Sequence, residues 1–256
     1  MKLSVIIPVY NEESTVGQLL EQVLAVDIPK EVIVVDDGSR DKTIEIIREK
    51  AAASDQVINL QTNVVNVGKG AAIRRGILHV TGDVVLIQDA DLELDPKEYH
   101  LLVAPFMSGV ADVVYGSRFR ERGYFFYYRQ VPFSSRLVNF LLAKTVNLFW
   151  PRARITDEAT AYKVFRADLL KSLPLKCNGF EFCPEVTARV LNRGIKIREV
   201  PITYHPRTVA QGKKVNWKDA VKAFWTLFKY RFLEKEKPLE NKTREVEEAG
   251  EGAAPR

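Results

Sequence analysis

Cysteine, long apolar runs and the common phosphate-loop glycine patterns are scarce or missing in this 256-residue chain. Each absence closes off a class of protein. Only Cys177 and Cys183 occur, with no histidine near them, so neither a zinc site nor a disulfide framework is expected. Two reduced thiols of a cytosolic protein are the simplest expectation. No uncharged apolar run reaches the ~18 residues that a bilayer span requires. A transmembrane chain is therefore not expected, although one lying on a membrane surface is not excluded. Met1 leads straight into a strand-like run that ends near Pro8, unlike a signal peptide. G-x-G-x-x-G does not follow the first strand, which disfavours a dinucleotide cofactor. Gly68-Lys69-Gly70 lacks the spacing of a Walker loop. A compact Lys/Arg tract is also missing, and the aromatics are not arranged as a stacking sheet, so nucleic acid is the least favoured partner.

What is present is ordinary for a globular chain: 46% hydrophobic and 28% charged residues. The net charge is +5, and the segment from Glu234 to Arg256 contributes −2, leaving +7 on the body. A basic body favours anionic partners, with phosphates or an acidic membrane surface leading.

Leu3 to Val9 is a β-branched run, the mark of a strand buried on both faces. A polar loop, Tyr10 to Ser14, and a helical spacing of Val16, Leu19, Leu20, Val23 and Leu24 follow it. The pattern recurs with strands predicted at Glu31–Asp36, Val57–Leu60, Asp83–Gln88 and Ala111–Gly116, each separated by a helix. Five such alternations predict an α/β fold: a Rossmann-like, mostly parallel sheet with helices on both faces. Ligands of such sheets bind outside the carboxyl ends of the strands. The polar clusters Tyr10/Glu12, Asp36/Asp37, Asp89/Asp91/Glu93 and Ser117/Arg118 all fall there.

Beyond residue 117 the pattern is less regular. Arg118 to Arg129 contains five consecutive aromatics, Tyr124 to Tyr128. Helices are expected over Pro132–Trp150, Phe182–Asn192 and Trp217–Phe232, and strands over Ala161–Phe165 and Lys196–Ile202. The Glu/Lys-rich stretch 233–256 cannot bury enough apolar surface to order itself and is expected to be disordered.

The acidic stretch after the fourth strand carries the most chemistry. If the chain stayed extended, Asp89, Asp91 and Glu93 would share one face. Hard carboxylate oxygens suit Mg²⁺ or Mn²⁺ shared with a substrate phosphate. The plainer alternative is a polar strand end followed by a helix cap at Asp95-Pro96. Asp91 with Glu93 forms the candidate metal pair, and Lys69 is within the expected reach of a ligand. Arg118, Arg136, Arg207 and Lys213 are rim cations whose geometry suits phosphate on donor or acceptor.

Val5-Ile6-Ile7-Pro8-Val9-Tyr10-Asn11-Glu12, Val34-Val35-Asp36-Asp37-Gly38-Ser39, Asn66 to Gly70 and Asp89-Ala90-Asp91 together resemble glycosyltransferase family 2, inverting nucleotide-sugar enzymes of GT-A fold. The likeness covers residues 1–232. Val114 to Phe119, Ser134-Ser135-Arg136, Asp157 and Tyr162 to Arg166 resemble the polyprenyl-phosphate sugar synthases of the dolichol-phosphate mannose synthase type. The resemblance implies a nucleotide-sugar-binding half over 1–117, an acceptor half over 118–215 and an interfacial helix over 216–232. It implies that Pro8, Tyr10, Glu12, Val35 and Asp37 cradle the nucleotide, and that Asp89, Ala90, Asp91 and position 93 meet diphosphate and metal. Position 93 is Glu where the mannose synthases often carry Gln, so the donor is left open between GDP-mannose, UDP-glucose and similar compounds. The implied acceptor is a dolichyl or undecaprenyl phosphate. A soluble or glycan hydroxyl is the alternative acceptor, and a non-catalytic nucleotide-sugar-binding protein is the alternative of another class.

A phosphate acceptor needs no general base, whereas a hydroxyl does. Asp157 is the candidate base, ahead of Glu158; otherwise Asp157 orients the acceptor site or an arginine. In the last helix Trp217, Ala220, Val221, Phe224, Trp225, Phe228 and Phe232 share a side, with Lys218, Lys222 and Lys229 along its flank. That face either lies in a membrane interface or packs on the protein's own core. The expected place is the cytoplasmic face of a membrane, in peripheral contact.

Overall fold

The computed structural model describes residues 1–54, 56–120, 133–206 and 217–234. The Tyr124–Tyr128 run, Arg207, Lys213 and the tail from 235 onward lie outside the described residues. Seven strands form one sheet: β1 (Leu3–Val9), β2 (Lys30–Asp36), β3 (Ile58–Thr62), β4 (Val84–Ile87), β5 (Val113–Ser117), β6 (Lys163–Arg166) and β7 (Ile197–Pro201), in the order β3-β2-β1-β4-β6-β5-β7. The helices are α1 (Val16–Ala25), α2 (Thr43–Ala52), α3 (Lys69–Ile77), α4 (Tyr99–Met107), α5 (Phe133–Phe149), α6 (Ala167–Ser172), α7 (Phe182–Asn192) and α8 (Trp217–Phe228).

Strand periodicity divides the core in two. In β1, Ile6 joins one apolar cluster, with Ile33, Val35, Val85 and Ile87, under α3 and α7. Its neighbours Val5 and Ile7 join the other, with Val34, Leu86 and the inner face of α1. Alternate side chains point to opposite faces, so a strand buried on both sides is apolar nearly throughout; the buried Ser4 donates its hydroxyl to Glu31 Oε1. Burial of β1 is complete except at Pro8, which is half-buried. Close packing of α3 on this strand depends on Gly76: a Cβ there would lie 2.7 Å from Ile6 Cγ2.

The predicted strands are all present, in a mostly parallel sheet. β5 does not pair with β4. The short strand β6 lies between them, antiparallel to both, while β5 pairs in parallel with β7. Sequential strands are usually neighbours, and nothing in the apolar pattern of β6 encodes its direction. The reversal has a functional consequence. The residues that enter β6, Thr156 to Tyr162, arrive at the same edge as the carboxyl ends of β4 and β5. The buried Tyr162 hydroxyl there donates to Gln88 Oε1 at 2.7 Å, and Tyr99 donates to the same oxygen at 2.8 Å.

The last helix divides its apolar residues between two faces. Ala223, Leu227 and Tyr230 are buried in the core, with Phe224 packed partly against it. Val221, Trp225, Phe228 and Phe232 remain exposed. The α-helix stops at Phe228 and a single π-helical turn, Lys229–Leu233, continues it.

Candidate active site

The first two loops at the carboxyl edge brace each other. Asn11, in a left-handed conformation, accepts from the Arg40 amide through its side chain and donates its own amide to Ser39 Oγ, each at 2.9 Å. Glu12 donates its amide to Thr43 Oγ1 at 2.9 Å, and its carboxylate accepts from Thr15 Oγ1 at 2.9 Å. Asp37 is buried beneath the β3–α3 loop. Its carboxylate accepts from Asn63 Nδ2 at 2.7 Å, the Val67 amide at 3.1 Å and the Gly68 amide at 2.7 Å. Asp36 likewise holds the Gly38 and Ser39 amides, both at 3.1 Å. Pro8 and Tyr10 are half-exposed at this edge. Val35 has no exposed surface and packs its side chain into the core. Ala90 is also part of the core.

The acidic stretch does not continue the strand. β4 ends at Ile87, and Leu92 has a φ of 59°, which breaks extended geometry. The expected alternation of Asp89, Asp91 and Glu93 along one face is therefore replaced by a turn. Asp91 Oδ1 accepts the Glu93 amide at 3.1 Å, and Asp95 caps the following turn by accepting from the Lys97 amide at 2.9 Å. Among the described residues no group of three or more His, Cys, Asp or Glu side chains is arranged to hold a metal ion. Mg²⁺ commonly takes one or two protein carboxylates and completes its shell with substrate phosphate and water. The hard oxygens of Asp91 and Glu93 fit that kind of site and not an all-protein cage.

Lys69, at the start of α3, pairs with Asp89 at 2.6 Å. Burial opposes the ammonium charge, but Asp89, with help from Asp91, outweighs it and raises the Lys69 pKa. The amino end of α3 is not open to an anion. The Asn178 carbonyl accepts the Ala71 amide at 3.0 Å, and a Cβ on Gly68 (φ 117°) would lie 2.5 Å from that same oxygen.

Across the edge, Arg118 and Asp157 form a two-pronged pair: Nε to Oδ2 and Nη2 to Oδ1, both 2.7 Å. The Arg118 amide adds a third bond to Oδ2 at 3.0 Å. Asp157 has no exposed surface. Burial works against the guanidinium charge, and Asp157 reverses that, holding the Arg118 pKa above its ordinary value. This geometry matches the arginine-orienting alternative for Asp157; service as a base would require release from the pair. Glu158 is buried too, and its carboxyl pKa is raised by burial. Arg118 and Glu93 meet at Tyr204. Its ring lies 5.0 Å from the Arg118 guanidinium, and its hydroxyl donates to Glu93 Oε2 at 2.9 Å. Arg136 lies in the first turn of α5, with its guanidinium 5.8 Å from the Phe133 ring.

Sequence reasoning gave no role to Glu199, which lies under Thr156 and Asp157, and none to the hydroxyl of Tyr204. The one available signal at Glu199 was a carboxylate within a strand, beside Arg198.

A mostly parallel sheet with this acidic turn and a fixed arginine at its carboxyl edge defines a GT-A fold. The chain belongs to glycosyl transferase family 2, whose model matches residues 4–173. Among similar proteins is a dodecaprenyl-phosphate galacturonate synthase of Rhizobium johnstonii, 29% identical over 81% of this chain and 60% of that protein. A dolichol-phosphate mannosyltransferase of Pyrococcus furiosus is 28% identical over 83% of this chain and 59% of that protein. The chain thus spans about three-fifths of the length of these two relatives. A solved structure of similar fold is glucosyl-3-phosphoglycerate synthase from Mycobacterium tuberculosis with Mn²⁺, UDP-glucose and phosphoglyceric acid. Its TM-score is 0.65 and its identity 21%, over 89% of this chain and 78% of that one.

Proposed function

We propose that this chain is an inverting glycosyltransferase. It moves a sugar from a nucleotide-diphosphate sugar, of the GDP-mannose or UDP-glucose kind, to a polyprenyl phosphate such as dolichyl or undecaprenyl phosphate. The observation that carries this reading is Arg118, fixed by a buried carboxylate and joined through Tyr204 to the acidic turn. The dodecaprenyl-phosphate and dolichol-phosphate names of the two relatives support the acceptor class.

The roles follow from chemistry. Pro8, Tyr10, Glu12 and Asp37 frame the nucleotide end, and Lys69 and Asp89 face the diphosphate. Asp91 and Glu93 would hold Mg²⁺ or Mn²⁺, which when bound would neutralise the leaving diphosphate as the C–O bond breaks. Arg118 and Arg136 take phosphate oxygens, together with Arg207 and Lys213. A phosphate monoester, with a second pKa of about 6, is largely dianionic at neutral pH and attacks without a general base. That requirement agrees with an Asp157 already committed to Arg118. Attack opposite the leaving nucleotide inverts the anomeric centre.

The acceptor is a membrane lipid, so the protein must meet a surface. No helix among the described residues is long and apolar enough to cross one. The exposed ridge Val221, Trp225, Phe228 and Phe232, beside exposed Lys218 and Lys222, suits an anionic interface. Its rings are contiguous: Trp225 to Phe228 at 5.7 Å and Phe228 to Phe232 at 5.0 Å. We therefore assign peripheral contact at a cytoplasmic membrane face.

A panel of nucleotide sugars with a short polyprenyl phosphate and Mg²⁺ or Mn²⁺, read by mass spectrometry, tests the reading. One glycosylated lipid phosphate, lost on chelation and in Asp91→Ala, is the expected result. Transfer only to water-soluble hydroxyl acceptors would overturn the acceptor assignment, and no transfer at all would overturn the activity.

A further inference from the structure

Glu199 lies in β7, beyond the segment matched by the family model. It is buried, and a buried carboxylate persists only where its oxygens are satisfied. Its Oε1 accepts two successive main-chain amides, Thr156 at 2.7 Å and Asp157 at 2.9 Å. Its Oε2 accepts the Thr156 hydroxyl at 2.8 Å, and that hydroxyl meets Ser117 Oγ at 2.6 Å. Ser117 immediately precedes Arg118. One carboxylate thus joins the two chain segments that carry the Arg118–Asp157 pair. Arg120 adds only a distant charge, at 3.9 Å. Burial raises the Glu199 pKa while the Thr156 and Asp157 donors lower it.

We propose that Glu199 is a positioning residue: by holding the Thr156–Asp157 main chain it fixes the direction in which Asp157 aims Arg118 at substrate phosphate. This rests on the reading of Arg118 as a phosphate ligand. Two features separate the idea from general support of the fold. Its bonds to both amides use a single oxygen, which a glutamine would also supply. Its effect on a ligand must also pass through Arg118.

The test uses the whole chain with magnesium pyrophosphate as probe, followed by calorimetry, alongside hydrogen exchange at the Thr156 and Asp157 amides. Glu199→Leu should speed exchange at both amides and weaken pyrophosphate binding about tenfold, the scale of one charge-assisted contact. Glu199→Gln, retaining the shared acceptor, should bind as the wild type does. In the double variant Arg118→Ala/Glu199→Leu the loss should equal that of Arg118→Ala alone, because one effect acts through the other. Glu199→Asp, which draws the acceptor back by one methylene, gives a milder version of the test if the leucine variant does not fold. Unchanged exchange, losses that multiply in the double variant, or a glutamine variant as weak as the leucine one would each overturn the proposal. Arg118→Ala binding pyrophosphate normally would overturn it too. A protein that shows the expected coupling but transfers no sugar would instead overturn only the glycosyl-transfer reading.

Discussion

The two sides of the carboxyl edge hold their charges in different ways. On the side proposed for the nucleotide, the Lys69–Asp89 pair is partly open to solvent, with side-chain exposures of 15% and 24%. Across the edge Asp157 is completely buried and receives three bonds from one residue, Arg118. A pair that water can reach exchanges partners cheaply, whereas a buried two-pronged pair does not. On the function proposed above, the first therefore suits a group that lets go when a diphosphate arrives. The second suits a fixed cation against which an incoming phosphate is aligned.

Removing one partner from each pair should expose that difference most strongly. Asp157→Ala leaves the Arg118 guanidinium largely buried and unpaired, and such losses cost about 3–5 kcal/mol. Denaturant unfolding should show a drop of that size; a change below about 1 kcal/mol would mean that the seat is not rigid. Asp37→Ala comes next. It strips acceptors from two loop amides and the Asn63 side chain, which should cost about 1–3 kcal/mol. The same variant should raise KM for the donor more than it lowers kcat, because the loop it holds leads directly to Lys69.

Lys69→Ala should cost less stability than Asp157→Ala, because the Asp89 it leaves unpaired keeps some contact with solvent. It should nonetheless weaken donor binding, and by a larger factor at low salt, because screening acts on accessible charges. Equal stability losses in Lys69→Ala and Asp157→Ala would erase the contrast between the two sides.

Legibility in the sequence followed the same division. The side proposed for the nucleotide is built from loops that directly follow their strands, so Tyr10/Glu12, Asp36/Asp37 and Asp89/Asp91 could be placed at the carboxyl edge from local pattern alone. The error there was geometric: Leu92 turns left-handed, so Asp89, Asp91 and Glu93 do not alternate along a strand. Val35 and Ala90 were reached only through the likeness to the family, and both side chains are buried. The other side depends on β6 running antiparallel between β4 and β5. Asp157 meets Arg118 from 39 residues away, and Glu199 meets Thr156 from 43. Contacts of that range leave no periodic trace, so a residue such as Glu199 reads as one more polar strand position.

The smallest effect on stability is expected on the outer face of α8. Trp225 and Phe228 are exposed, while Ala223, Leu227 and Tyr230 hold the helix to the core. Tyr230 is further fixed by the Arg189 guanidinium 4.3 Å from its ring and by its carbonyl, which accepts from Asn192 Nδ2 at 2.8 Å. Changing Trp225 and Phe228 to Ser should therefore shift stability by no more than about 0.5 kcal/mol each, as surface changes do. Flotation on anionic liposomes should fall sharply in the same double variant, since each large ring carries about 1.5–3 kcal/mol of burial. Leu227→Ser should do the reverse, destabilising the fold through the inner face. If the outer double variant unfolds instead while liposome binding by the folded fraction persists, the ridge packs on the protein and the membrane contact lies elsewhere.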